Sequence, residues 1–310
     1  MKKIIYYKNR YYALDVYRQR YTVYVFDESG KFLFRIGKYG QGPGEYYVFL
    51  DDMLINPFTG NIDLLSAWGL IFTYDLSGKH VKTSLQFTNS SDDFVFHAAY
   101  YFIALDEKTY VFYSPFDQYR IFYYDMNEMK IIRQEFEEKS FTRLITSFYE
   151  YRGQWYFYRS YSSETYEILP DSLDYAYSWD FGKFNYDIKK ISENSAHNQE
   201  TDNRLPYRFQ LQGQNNLYVI AEIRIKNDVP AYLIYNKSTH TCTFIQRFKE
   251  SVNFRPNVVT NEYVLSFCRH GELSNFVTDE MLDESNRQKL EILRNEKDEM
   301  NPTIIKYYFK

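Results

Sequence analysis

A six-bladed β-propeller is what this sequence predicts, on three observations: a strand-turn-strand hairpin that recurs along the chain, an abundance of aromatic residues, and helical character confined to one stretch near the C-terminus. The recurrence is the sharpest of the three. The run YTVYVFDESGKFLF, from Tyr21, returns about 48 residues later as IFTYDLSGKHVKTSLQF, from Ile71 to Phe87. Each copy is an apolar strand ending in an aromatic-Asp pair, Phe26-Asp27 or Tyr74-Asp75, followed by a Ser-Gly-Lys turn and a second alternating strand. Gly30 and Gly78 supply the positive φ that such a reversal needs. A hairpin of this kind cannot bury its own apolar faces, so repeats with a period of roughly 40 to 50 residues are read as blades.

The remaining elements follow in order. Ile4 to Tyr24 is the inner half of the first copy, and Tyr110 to Phe136 is a third copy with Tyr124-Asp125 at the anchor. Gln154 to Phe181 is a fourth, with Tyr166-Glu167 in that place, and the segment ending at Phe248 is a fifth, with Tyr235-Asn236 and a turn over Lys237 to His240. A sixth starts at Asn261, is interrupted, and resumes from Pro302 to Lys310. Anchor intervals of about 48, 50, 42 and 69 residues place an insertion in the longest one, at the polar stretch Lys183 to Pro206. Thr278 to Asp298 reads as the one helix, with Met281, Leu282, Leu290, Ile292 and Leu293 as its apolar stripe and Asp279 and Glu280 suiting its N-terminal end. Residues 1 to 310 are expected to form a single domain, all-β apart from this helical insertion at about 278 to 298.

Composition agrees with that class. The chain holds 34 Tyr and 26 Phe, residue types that favour half-buried pleated surfaces, and its 45% hydrophobic content suffices for a large core. A net charge of −4 gives no electrostatic reason for a nucleic-acid partner. No apolar run approaches the length of a membrane span. Met1-Lys2-Lys3 begins as the basic region of a signal peptide does, but Ile4 to Tyr12 is interrupted by polar residues and fits the repeat, so no export signal is read. Cys242 and Cys268 are too few for a disulfide framework or a thiolate metal site. They are expected as two buried thiols, with a bridge between adjacent blades as the alternative.

The string GKYGQGPGE, Gly37 to Glu45, looks like the glycine-rich connector of NHL-type repeats. Together with FDESGKFLFRIG before it and NPTIIKYYFK at the C-terminus, it resembles the six-bladed propeller proteins of the Bacteroides type, NHL-like or TolB-like, over essentially the whole chain. The resemblance implies an exported, often lipid-anchored protein, periplasmic or at the cell surface, and carries over no catalytic residue. Gly40, Gly42, Pro43, Gly44 and Glu45 are assigned to a structural connector between blades. A phosphate loop is the other reading of such glycines, but Glu45 would repel an anion and YYVFLDDMLI continues as strand rather than helix.

No catalytic set emerges. His80, His97, His197, His240 and His270 lack metal-ligand spacing, GxSxG and HExxH do not occur, and the acid pairs such as Asp51-Asp52 and Asp92-Asp93 read as solvated turns. No cofactor and no metal is assigned. A non-catalytic binding scaffold is therefore favoured, because the inner strands read as mostly apolar residues and Tyr. The alternatives are a lactonase- or lyase-like hydrolase acting on a sugar-derived substrate at the central channel, and an intracellular NHL-like interaction module.

Topology locates the expected binding face. In an up-and-down blade, the connector to the next blade and the turn between strands two and three emerge at the same end. Those turns fall at Tyr17 to Arg20, Ala67 to Gly69, Phe116 to Arg120, Tyr161 to Ser163 and Lys226 to Asp228, with His270 near the sixth. Arg18, Arg20, Trp68, Tyr119, Arg120, Lys226 and His270 are the candidate ligand-binding residues, aromatics and cations suited to a protein, peptide or glycan bound by a monomer. The sixth copy leaves no residues for an outer strand, so the expectation is an N-terminally shortened form whose last blade has three strands and an open edge.

Overall fold

The computed structural model describes residues 2–17, 20–42, 44–46, 48–66, 68–85, 98–115, 117–137, 148–186, 205–268, 270–295 and 303–309. Six sheets follow one another along the chain, each in sequential strand order. The first holds β1 (Lys3–Tyr7), β2 (Arg10–Tyr17), β3 (Arg20–Asp27) and β4 (Phe32–Ile36). The second holds β5 (Asp52–Ile55), β6 (Ile62–Leu65), β7 (Leu70–Tyr74) and β8 (His80–Leu85). The third holds β9 (Tyr101–Ala104), β10 (Thr109–Tyr113), β11 (Tyr119–Asp125) and β12 (Lys130–Glu137). In the fourth are β13 (Phe148–Tyr151), β14 (Gln154–Tyr158), β15 (Glu164–Ile168) and β16 (Leu173–Ser178), and in the fifth β17 (Tyr207–Gln214), β18 (Tyr218–Ile225), β19 (Val229–Asn236) and β20 (Thr241–Ile245). The sixth sheet has three strands, β21 (Val258–Val259), β22 (Tyr263–Cys268) and β23 (Thr303–Tyr308). These are the six blades of the predicted propeller, and one α-helix, α1 (Glu284–Asn295), is found among the described residues.

The chain divides into two compact units, residues 1–209 and 210–310. In the first unit β1 lies beside β5, β5 beside β9 and β9 beside β13, so the opening strands of four blades line a common axis. Each sheet is apolar on both faces, and the clusters form between blades. Tyr12, Leu14, Val23, Val25 and Ile36 of the first blade meet Met53, Ile55, Leu64, Phe72 and Tyr74 of the second. Leu54, Leu65 and Ile71 point the other way, into Phe102, Tyr110, Phe112, Phe122 and Tyr124 of the third. Tyr113, Ile121 and Tyr123 then meet Phe148, Phe157 and Ile168 of the fourth. Alternation along each strand thus feeds two interfaces, which is why the strands read as nearly continuous apolar runs. In the second unit Ile220 and Tyr232 of the fifth blade join Phe254 and Val264.

Polar ties run between the same blades. Asp52, at the start of β5, is buried and accepts from Lys3 Nζ of β1 at 2.7 Å, from the Met53 N–H at 2.9 Å, and from the Phe102 N–H of the third blade at 3.1 Å. Asp63 of β6 accepts from the Thr73 hydroxyl and from the Tyr110 hydroxyl, each at 2.6 Å, while Asn56 donates to Tyr110 at 2.7 Å. Burial pushes the Asp63 carboxyl above its usual range, and the two hydroxyl donors pull against it. Buried acids are retained where such donors satisfy them.

The recurring hairpins match in detail. Asp27 accepts from the Ser29 N–H at 2.9 Å, the Ser29 hydroxyl at 2.6 Å and the Lys31 N–H at 2.9 Å. Asp75 accepts from the Ser77 N–H, the Ser77 hydroxyl and the Lys79 N–H at 2.9, 2.6 and 3.0 Å. Gly30 and Gly78 both sit at φ +88°. The hydrogen bonds from Ser29 and Ser77 lead in holding both carboxyls below their usual range. A depressed folded-state pKa contributes stability that is complete above the unfolded value and is lost as the pH falls through the folded one. Asp27→Ala and Asp75→Ala are therefore expected to melt below the parent at pH 7, with the deficit shrinking toward about pH 3. Thermal melts across that range decide it, and a pH-independent deficit would refute the charge-assisted account.

Three expectations need correction. The fourth blade's strand runs past Tyr166-Glu167 to Ile168, and the hairpin closes from the Leu169 N–H to the Ser172 carbonyl at 2.9 Å, with no side-chain anchor at Leu169. The stretch from Thr278 starts as a 3-10 turn (Asp279–Met281), and α1 follows only after Asp283, whose carboxylate caps the Asn286 N–H at 2.8 Å. Cys242 is exposed, because it lies on the outermost strand β20; Cys268 is buried, and both are free thiols. The inner strands are mostly apolar residues and Tyr, with Lys3, Asp52, Arg208, Gln212 and Gln214 among the polar exceptions, the last four of these buried. The inserted stretch Lys183 to Pro206 lies mostly outside the described residues, apart from 183–186 and 205–206.

Candidate ligand-binding face

Each first strand starts at the same end of its sheet as the turn from second to third strand. In the first unit three such starts are pinned by backbone bonds, from Lys2 to the Leu14 carbonyl at 2.7 Å, Asp51 to that of Leu65 at 2.6 Å and Tyr100 to that of Tyr113 at 3.1 Å. This brings chemistry together near the axis. Lys2 Nζ donates to Asp51 Oδ1 at 3.0 Å and to the Leu50 carbonyl at 3.1 Å, and stands 6.0 Å from the centre of the Tyr21 ring. Tyr21 lies 5.5 Å from Phe49, whose ring is 49% exposed. Burial, and then the Asp51 charge, push the Tyr21 and Tyr100 phenols up, so both remain protonated donors. Trp68, on the turn between β6 and β7, is 66% exposed.

The residues singled out by sequence have diverse settings. Arg18 lies outside the described residues, and Arg20 is the first residue of β3, paired with Tyr17. Tyr119 is half-buried at the start of β11, opposite Glu137. Lys226 is exposed on the 3-10 turn Lys226–Asp228, and His270 opens the 3-10 turn His270–Asn275, both in the second unit. Arg120 is a correction. Its side chain is buried, its guanidinium donates to the Asp117 carbonyl, and the Asp117 carboxylate accepts from the Ser114 hydroxyl. It braces its turn from within rather than standing at the tip, because the first residue of β11 is Tyr119 and the next side chain turns inward.

The glycine-rich connector lies beside the outer hairpin of the second blade. Tyr74 donates its hydroxyl to the Gly44 carbonyl at 2.8 Å, and a Cβ on Gly44 would stand 2.6 Å from that of His80. The glycines thus sit by the third-to-fourth turn of the second blade, the end opposite its second-to-third turn, which corrects the expectation that this connector marks the binding face. Glu45 organises the loop by accepting from the Gly42 N–H at 3.0 Å and pairing with Lys38 at 3.0 Å, which hold its carboxyl below the usual range. A side chain at Gly40 would collide with that carboxylate. Pro43 lies outside the described residues.

Two features escaped sequence reading. Phe49 sits in a run of apolar connector residues and only the fold shows which of them remains exposed. In the second unit Glu222 is buried on β18, 3.0 Å from the Arg224 guanidinium; burial raises its carboxyl, and Arg224 and Arg255 oppose that. Arg224 supplies the counter-charge that a buried carboxylate requires. Among the described residues no three His, Cys, Asp or Glu side chains are grouped as metal ligands would be. No described helix is long and apolar enough to cross a membrane.

Successive antiparallel blades with aromatic and charged residues at their connector ends define a β-propeller of the mostly-β class. The chain belongs to a family described as a domain of unknown function, DUF4934, which matches residues 1–308. Its fold is similar to that of a "putative exported protein" from Bacteroides fragilis, with a TM-score of 0.75 at 16% identity over 99% of this chain and 90% of that one. A member of the DUF4221 family from Bacteroides vulgatus is similar at a TM-score of 0.52 and 10% identity, covering 79% of this chain and 80% of that one. No curated protein matches the sequence.

Proposed function

We propose that this propeller is a non-catalytic binding scaffold of the bacterial cell envelope, acting as a single-domain monomer and allied to the NHL-like and TolB-like propellers. Its ligand, a protein, peptide or glycan, docks on the connector end of the blades. One observation carries the reading: the first unit gathers Phe49, Trp68, Tyr21 and the Lys2–Asp51 pair at that end, with both large rings exposed to solvent. Exposed rigid aromatics beside fixed polar groups are the usual makings of a recognition surface. The similarity to an exported Bacteroides protein supports a periplasmic or surface location. Arg20 extends the candidate face and Arg120 acts on it by holding its turn, while Lys226 and His270 are candidates on turns of the second unit taken by itself.

Binding of the purified protein to glycan and peptide arrays, followed by the variant Phe49→Ala/Trp68→Ala, tests this reading. The double variant is expected to keep the parental unfolding midpoint and to lose at least tenfold in affinity for the array ligand. Unchanged affinity would overturn the placement of the site. A single calorimetric transition and a monomeric mass in light scattering check the domain and oligomer statements.

A further inference from the structure

We propose that the open edge of β23, in the second unit, takes an extended segment of a partner polypeptide as the fourth strand of the sixth blade. The inference goes beyond the scaffold reading, since it rests on none of the residues of the candidate face. Five sheets have four strands in sequential order, while the sixth stops at β21-β22-β23. β23 pairs with β22 over six residues, Thr303 to Tyr308, and with no other strand among the described residues. Its far side therefore presents a row of backbone N–H and C=O groups, the template on which a further strand pairs.

Burial points the same way. The third strands of the other blades, β3, β7, β11, β15 and β19, all hold buried residues, and each has a fourth strand alongside. None of the six residues of β23 is buried. The outer strand β20 of the fifth blade is exposed at four of its five residues, whereas β23 offers half-buried Ile304, Ile305 and Tyr307, apolar surface that a fourth strand would cover. The edge is already fixed in place. Ile305 packs on the cluster of Cys268, Leu273 and Phe276, Tyr307 on that of Tyr232 and Val264, and the Tyr307 hydroxyl donates to the Phe276 carbonyl at 2.9 Å. A docking segment thus loses little in ordering its partner.

Side chains on β23 define the segment. Residues opposite Thr303, Ile305 and Tyr307 lie on the face of the apolar clusters and are apolar, and the residue opposite Lys306, the only charge on β23, is acidic. The Lys306 ammonium stands 4.9 Å from the centre of the Tyr263 ring, back over β22 rather than out beyond the edge. A second copy pairing through its own β23 supplies no acid, because that strand contains none, so the occupant is a different chain.

The test titrates the capped hexapeptide Thr-Val-Glu-Val-Thr-Val into the intact protein, followed by NMR and amide hydrogen exchange. Binding is expected to slow exchange at alternate amides of β23 and at none of β20, to vanish when the backbone nitrogens of the peptide are methylated, and to weaken about threefold when its Glu is replaced by Lys. Lys306→Glu is expected to reverse that preference while keeping the parental unfolding midpoint. Where that variant melts early, the methylated peptide on the parent protein decides alone. No protection of β23, protection that persists with the methylated peptide, or association of two copies through β23 would each overturn the inference.

Discussion

Asp52→Ala is expected to cost about 3–5 kcal/mol of folding free energy. The carboxylate binds three groups from three successive blades, the Lys3 ammonium, its neighbouring Met53 N–H and the Phe102 N–H. Truncation removes the acceptor of two backbone N–H groups, those of Met53 and Phe102, and leaves an ammonium without its counter-charge. The comparison with Lys3→Met separates these terms. That variant keeps both N–H donors paired to Asp52 but leaves the buried carboxylate without its counter-charge, so its cost isolates the ion-pair contribution from that of the two N–H bonds. Urea unfolding measures both. A loss below about 1 kcal/mol for Asp52→Ala would show that the inner strands hold their spacing without this acid.

Gly44→Ala is expected to be nearly as damaging, at about 2–4 kcal/mol, where Gly30→Ala costs only about 1–2 kcal/mol. Both glycines occupy the left-handed region, at φ +73° and +88°, and so share the backbone penalty of any L side chain there. They differ in surroundings. Nothing lies within 4 Å of a Cβ on Gly30, whereas one on Gly44 meets His80 Cβ at 2.6 Å, an atom fixed to the backbone of β8. The excess is thus the cost of moving the connector off the second blade, and it also strains the bond from Tyr74 to the Gly44 carbonyl. Equal losses in the two variants, measured by chemical denaturation, would remove the steric account.

How much of this was legible in the sequence depended on range. Asp27 and Asp75 were readable because their bonds reach only two to four residues along the chain, so chemistry and spacing coincide. The fourth anchor misled because Tyr166-Glu167 imitates the motif inside a strand that runs on to Ile168. Trp68 was correctly read as a turn residue, but Arg120, more polar and equally close to a turn, is buried through contacts with Asp117 that no pattern of residue types announces. Asp52 is the extreme case. It resembled half of a solvated acid pair, and its partners lie 49 and 50 positions away, where only the assembled blades bring them. The exposure of Phe49 beside buried Val48 and Leu50 is likewise a property of the connector's path across the blade end.

Met53 and Leu54 are neighbours on one strand, yet they belong to different apolar clusters, one shared with the preceding blade and one with the following blade. The covalent period of the chain and its cohesive period are therefore half a blade out of phase in the first unit. A genetic duplication copies a sheet, but what it must satisfy is a pair of half-interfaces, each written partly in the copy next door. A substitution on one strand is then answerable to two neighbouring blades at once.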